Sequence, residues 1–169
     1  VRAGWGTGFL ALSDRAAEQL VPVFSGHSAT GGPMPLDSVV PPMQGAGAFN
    51  VTYPSPIAQA VFATALEQII AVGVPAINDA VAHRVSAIID IADEFALPVV
   101  SSRAENERAG IVVLEPDPDR LTPLTASLFN HGITATARAG RVRLSAHTST
   151  TAESLEQLRA ALLGFSTVG

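Results

Sequence analysis

The sequence predicts a mixed α/β chain: a loop-rich first part, a long helix, and a closing lobe of the α+β type. Three observations predict it. From residue 99 onward the elements read strand, strand, helix, strand, strand, helix, the order of a small sheet with helices packed on one face. Before that, apolar residues recur twice at helical spacing, over 57–70 and 77–95, with a break at Gly73-Val74-Pro75. Earlier still, half of the 12 prolines and several glycines fall between Pro22 and Pro54.

Composition narrows the function classes. The 169 residues are 47% hydrophobic and 15% charged, which argues for a packed core and against disorder. The formal charge is -5, and the ten basic residues are arginines spread from Arg2 to Arg159, so no basic footprint for nucleic acid exists. No apolar run reaches the roughly 18 residues of a membrane helix, so no membrane partner is expected. Without cysteine, disulfides, zinc–thiolate sites and thiol nucleophiles are excluded, and a cytoplasmic location fits. The chain also has no lysine, the commonest Schiff-base amine. Its start, Val1-Arg2-Ala3-Gly4-Trp5, has neither an initiator methionine nor a signal pattern and reads as the interior of a longer protein.

Each element follows from local chemistry. Phe9-Leu10-Ala11-Leu12 is a short apolar run that suits a buried strand, and Ser13-Asp14 suits the cap of a helix from Arg15 to Leu20. The stretch 22–54 exceeds the usual length of a structureless loop, which points to a functional or docked segment. Ser55-Pro56 starts a helix carrying Ile57, Val61, Leu66, Ile69 and Ile70, ended by Gly73. Pro75 opens a second, long helix with Ile77, Val81, Val85, Ile88, Ile89, Ala92 and Phe95 along one stripe, stopping before Pro98. Val99-Val100 and Ile111 to Leu114 read as strands on either side of a charged turn at Glu105 to Arg108. Asp119 caps a helix with Leu121, Leu124 and Leu128, closed by Gly132. Ile133 to Ala137 and Val142 to Ser145 form two strands about a turn at Ala139-Gly140, and Thr150 to Glu153 matches a capping box for a last helix with Leu155, Leu158 and Leu162.

Few residues carry chemistry on pattern alone. Arg143 sits in a strand between apolar neighbours that face the other way; its planar fork suits a carboxylate, and so does an ordinary surface ion pair. Arg138 and Arg141 flank the same turn, where the surface role is the stronger reading. Thr52, just ahead of a helix start, suits a phosphate or else a turn that satisfies its own backbone. Gly4 to Gly8 matches neither a phosphate-binding loop nor the dinucleotide fingerprint. His27, His83, His131 and His147 lack ligand-like spacing, so no metal site is expected, and Ser145 lacks the context of a nucleophile. No self-contained catalytic set exists.

The ordered motifs resemble the C-terminal portion of a class V aminotransferase, the fold-type I pyridoxal-phosphate-dependent group that includes cysteine desulfurases, kynureninases, isopenicillin N epimerase-like proteins and hercynylcysteine sulfoxide lyases. Three segments carry the resemblance. Arg2 to Leu10 is similar to the glycine-rich strand after the family's cofactor lysine. Phe49-Asn50-Val51-Thr52-Tyr53-Pro54-Ser55 is similar to its Phe-x-x-Gly-Thr-x-x segment, with Val51 where glycine is usual. Arg143-Leu144-Ser145-Ala146-His147, followed by Thr150 to Glu153, is similar to its Arg-x-Ser stretch and final helix start.

The resemblance implies the end of a large, cofactor-binding domain with a dimer-facing loop at 1–74, an interdomain helix at 75–98 and a small α+β domain at 99–169. It implies pyridoxal 5′-phosphate as cofactor, an amino-acid substrate and a homodimer with its active site at the subunit interface. Arg143 falls where the family binds the substrate α-carboxylate. Thr52 falls where a neighbouring subunit reaches the cofactor phosphate. The cofactor lysine is expected upstream of Val1, so no catalytic residue lies in the chain, which alone should be inactive. Desulfurases need a cysteine on a loop ahead of the Arg-x-Ser strand. With no cysteine and a tight turn here, carbon–sulfur lyase, epimerase-like or transaminase chemistry is expected instead. The competing expectation is a free-standing, non-catalytic α+β binding or assembly module.

Overall fold

Gly73, at φ +88°, adopts a backbone conformation that L side chains rarely tolerate, and Pro75 then sits in the first turn of the following helix. The predicted break between two long helices is therefore real. In the computed structural model, described for all residues except 1–5, 25, 34, 36, 52, 54, 168 and 169, the chain divides into two units, Val1–Ala71 and Val72–Gly169.

The first unit carries α1 (Asp14–Gln19), 3-10 turns at His27–Ala29 and Gly45–Phe49, and α2 (Pro56–Val72). The Ser13 hydroxyl accepts from the Ala16 amide, as its place before α1 predicts. The run Phe9–Leu12 does not form the predicted strand. No strand exists among the described residues of this unit, so the run has no partner for its backbone, and Phe9 and Leu10 are exposed. The proline- and glycine-rich stretch is built around Met43. Its amide donates to the Ala29 carbonyl at 2.6 Å, and a Cβ on Gly31 or Gly47 would come within 2.9 Å of its side chain. The apolar stripe of α2 is not core, because no residue of the helix is buried. Among the described residues only Ala29 and Ala48 are buried apolar side chains in this unit.

The second unit holds α3 (Val74–Glu94), β1 (Ile111–Leu114), α4 (Leu121–Asn130), β2 (Thr136–Arg138), β3 (Arg141–Ser145) and α5 (Ala152–Thr167). Its sheet is antiparallel in the order β1-β3-β2. The strands alternate as a half-buried sheet must. Val112, Leu114, Val142 and Leu144 point into the core, where they meet Val85, Ile88, Ile89 and Ala92 of α3, Leu124 and Leu128 of α4, and Leu158 and Leu162 of α5. Each such burial stabilises by about 1.5–3 kcal/mol. Polar contacts tie the helices: the Ser127 hydroxyl donates to the Ala161 carbonyl at 2.7 Å, and Arg120 donates to the Phe165 carbonyl while lying 4.1 Å over its ring. At the end of α3, Arg103 grips Asp93 and Arg159 grips Glu94, each through two hydrogen bonds. These bonds hold both carboxyls below their ordinary values.

Three local expectations are corrected. Val99-Val100 is not a strand; only Val99 bridges to Leu114, because Pro98 removes a donor immediately before it. Asp119 does not cap α4. It lies inside a 3-10 turn, Pro118–Arg120, and the Arg120 position caps the helix without a side-chain bond. The last helix is capped one residue later than the Thr150–Glu153 box: the Thr151 hydroxyl accepts from the Ser154 amide, while Thr150 accepts from the His147 amide.

Candidate functional site

Arg143 owes its position to a tight hairpin. Ala139 and Gly140 have φ of 50° and 78°, the pair of positive values that a two-residue type I′ turn requires. That turn sets the register Thr136↔Arg143, Ala137↔Val142 and Arg138↔Arg141. Val142 and Leu144 are buried, so Arg141, Arg143 and Ser145 stand on the opposite, open face of the sheet, beside Arg138, Thr136 and Val113.

Arg141 is neutralised there by Glu115, at 2.7 Å. Among the described residues, the side chains of Arg143 and Arg138 form no hydrogen bond or ion pair. An acidic chain thus presents a locally positive sheet face whose free guanidinium groups can fork onto a carboxylate. Arg138, read from sequence as a surface residue, shares this face. The signal that could have found it is its direct opposition to Arg141 across a two-residue turn.

Thr52 lies outside the described residues, but the chain on either side of it is held. The Gly26 amide donates to the Asn50 carbonyl at 3.2 Å, and the Tyr53 hydroxyl lies 2.7 Å from His27 Nδ1. This pairing spans 26 residues and has no signature in periodicity or spacing.

His131 and His147 serve local structure. His131 Nδ1 lies 2.8 Å from the Ser127 carbonyl, and His147 Nδ1 accepts from the Ser149 amide at 3.2 Å. Among the described residues, no three His, Asp or Glu side chains gather into a metal-ligand cluster, and no single helix is long and apolar enough to cross a membrane.

No protein-family model and no curated protein matches the sequence. Solved structures match it by shape. The apo cysteine desulfurase of Thermococcus onnurineus NA1 gives a TM-score of 0.70 at 19% identity, over 86% of this chain and 39% of its own. The cystine C–S lyase C-DES, complexed with its reaction product cysteine persulfide, gives 0.74 at 15% identity, over 89% of this chain and 40% of its own. A C-DES variant with glycine covalently linked to its PLP cofactor also gives 0.74, at 16% identity, with the same coverage of 89% and 40%. The fold is that of part of a cysteine desulfurase or cystine C–S lyase. The chain spans about two-fifths of the length of these structures.

Proposed function

We propose that this chain is part of a pyridoxal 5′-phosphate enzyme that acts on an amino acid as a homodimer. The observation that carries the reading is a free arginine, Arg143, on the open face of a sheet whose fold is shared with such enzymes. The cofactor supplies an electron sink for the carbanion left when a bond to the substrate α-carbon breaks. The residues present fit an anchoring role. Arg143 donates two parallel hydrogen bonds to the α-carboxylate and so fixes the orientation of the bonds at the α-carbon. Thr52 offers a hydroxyl to the cofactor phosphate of the neighbouring subunit. Covalent attachment through lysine is not among the functions of these residues, because the sequence has none.

Within that class, carbon–sulfur lyase, epimerase-like or transaminase chemistry is favoured over desulfuration. A sulfur-accepting cysteine is absent from the sequence, and the connection between β2 and β3 is a two-residue turn with no room for a loop to carry one.

The test is Arg143→Ala in the cofactor-loaded protein. KM for the amino acid should rise roughly 10- to 100-fold, the loss expected for a charge-assisted pair, while cofactor absorbance persists. An unchanged KM overturns the assignment. Thr52→Ala should lower cofactor retention by the dimer; equal retention by parent and variant removes Thr52 from the phosphate site.

A free-standing, non-catalytic module is the second reading. It is favoured by the complete apolar core of the second unit. It predicts a stable monomer that neither retains pyridoxal phosphate nor pairs with a cofactor-binding chain.

A further inference from the structure

The open face of the sheet carries an imbalance of charge that the fold does not require. Cross-strand pairing orders its side chains into rows. In one row Arg141 stands between Glu115, which reaches it at 2.7 Å, and Arg138, its direct partner on β2. In the next row Arg143 stands between Val113 and Thr136. The three strands hold three arginines and no acid, and Glu115 neutralises one of them.

Two ordinary explanations fall short. An arginine on β2, an edge strand in the order β1-β3-β2, blocks pairing with another chain. Arg143, however, lies on the central strand, with an apolar neighbour on one side and a hydroxyl on the other. Surface ion pairing does not account for it either, because the side chains of Arg138 and Arg143 have no acidic partner among the described residues. Like charges directly opposite, as at Arg138 and Arg141, also weaken a sheet. A local conflict of this kind is expected where a ligand of opposite charge binds.

We propose that Arg138 and Arg143 together form a dicarboxylate site, in which Arg138 selects amino acids whose side chain ends in a second carboxylate. The substrate class is then an acidic amino acid of the length of aspartate or glutamate. That assignment of a substrate rests on the proposed function; the pairing of the two cations does not. Arg138 lies diagonal to Arg143 across β2 and β3, a separation of roughly 7–8 Å between backbone positions. Two long side chains at that spacing can each fork onto one end of a short diacid. Arg141 is held by Glu115, and Thr136, opposite Arg143, adds a hydroxyl donor. Arg138 is therefore a specificity-determining residue: it favours acidic over neutral side chains, whereas Arg143 orients the α-carbon.

The first experiment needs no cofactor. The chain is titrated with glutarate and with butyrate, which has a single carboxylate, while the arginine Nε–H resonances are followed. Glutarate should shift those of Arg138 and Arg143 to saturation and bind about tenfold more tightly than butyrate, the effect of one more charge-assisted contact. Arg138→Gln should reduce glutarate to the affinity of butyrate, and added salt should weaken glutarate more than butyrate. Glutarate that binds parent and Arg138→Gln alike, or no more tightly than butyrate, overturns the site.

The second experiment uses the cofactor-loaded dimer. Its preference in KM for glutamate and aspartate over alanine should fall about tenfold in Arg138→Gln, and Arg138→Lys, which keeps the charge, should restore part of it. Arg143→Gln should raise KM for acidic and neutral amino acids together. A preference that survives Arg138→Gln intact overturns the substrate assignment. Arg138-dependent glutarate binding by a protein that never takes up pyridoxal phosphate overturns the proposed function and leaves the dicarboxylate site standing.

Discussion

The two units of this chain solve the burial problem in opposite ways. The second closes a core from three helices and one sheet face, with Leu114, Leu124, Leu128 and Leu162 fully buried. Among its described residues the first buries two apolar side chains, both alanines, and large apolar groups stay in the open: Phe24 is 81% exposed, Ile57 79% and Ile70 77%. Large apolar side chains left exposed in such number suit a contact face. The difference teaches that a chain can share one continuous fold with a larger enzyme while its parts differ in self-sufficiency. The second unit is stabilised by its own packing, whereas α2 makes an apolar helix without an internal place to put it.

The largest expected effects break that comparison directly. Leu128→Ala, at a fully buried position where α4 faces α5 and the sheet, should destabilise the second unit by about 2–5 kcal/mol. Ile70→Ala on α2 removes the same kind of side chain from an exposed helix and should change stability by no more than about 0.5 kcal/mol. Urea unfolding of the purified chain measures both. Equal costs at the two sites would show that α2 is buried against something in solution. Expressed separately, residues 72–169 should unfold cooperatively, while residues 1–71 should be protease-sensitive and prone to aggregate.

Legibility follows the same division, for a physical reason. Where a segment's partners lie within the chain, pattern and environment agree. The stripe Val81, Val85, Ile88, Ile89, Ala92 and Phe95 faces the core or packs against it, and the alternation of β3 places Arg143 on the open face. The Ala139-Gly140 turn is likewise visible in the sequence. Where no partner is present, an identical pattern misleads. Phe9–Leu12 and the α2 stripe are as apolar as true core segments, yet one forms no strand and the other buries nothing. Caps sit at the limit of what sequence resolves, since adjacent threonines at 150 and 151 divide two bonds in a way spacing does not decide. Of the candidate site, Arg143 was readable from strand alternation. The His27–Tyr53 pair was not, because it joins two irregular segments with no period.

A smaller effect sharpens the account of the arginine face. Ala139 holds φ at 50°, a conformation disfavoured for alanine and tolerated by asparagine, whose pairing with a following glycine is the preferred type I′ turn. Ala139→Asn should therefore stabilise the second unit by roughly 0.5–1 kcal/mol. The register that opposes Thr136 to Arg143 should be unchanged, and so should KM for an amino-acid substrate. A gain in stability accompanied by a changed KM would show that the turn itself touches the substrate.

The smallest effect concerns acid. The salt bridges among the described residues all join groups of the second unit, so lowering the pH should distinguish the units once more. Hydrogen bonds from Arg103 lower the Asp93 pKa from its ordinary 3.8, and hydrogen bonds from Arg159 lower that of Glu94 from 4.5. A carboxyl with a depressed folded-state pKa contributes stability that is fully present above its ordinary value. That contribution is lost as the pH falls through the lowered one. The second unit should therefore keep these contributions down to about pH 4–5 and lose them progressively below. Both pairs are solvated, so the loss is modest and shrinks further in high salt. Arg159→Gln should flatten the acid dependence of the urea midpoint relative to the parent, because Glu94 then titrates alike in the folded and unfolded chains. An identical slope in parent and variant would assign the acid sensitivity to other carboxylates and leave the pair at the end of α3 as a surface contact without thermodynamic weight.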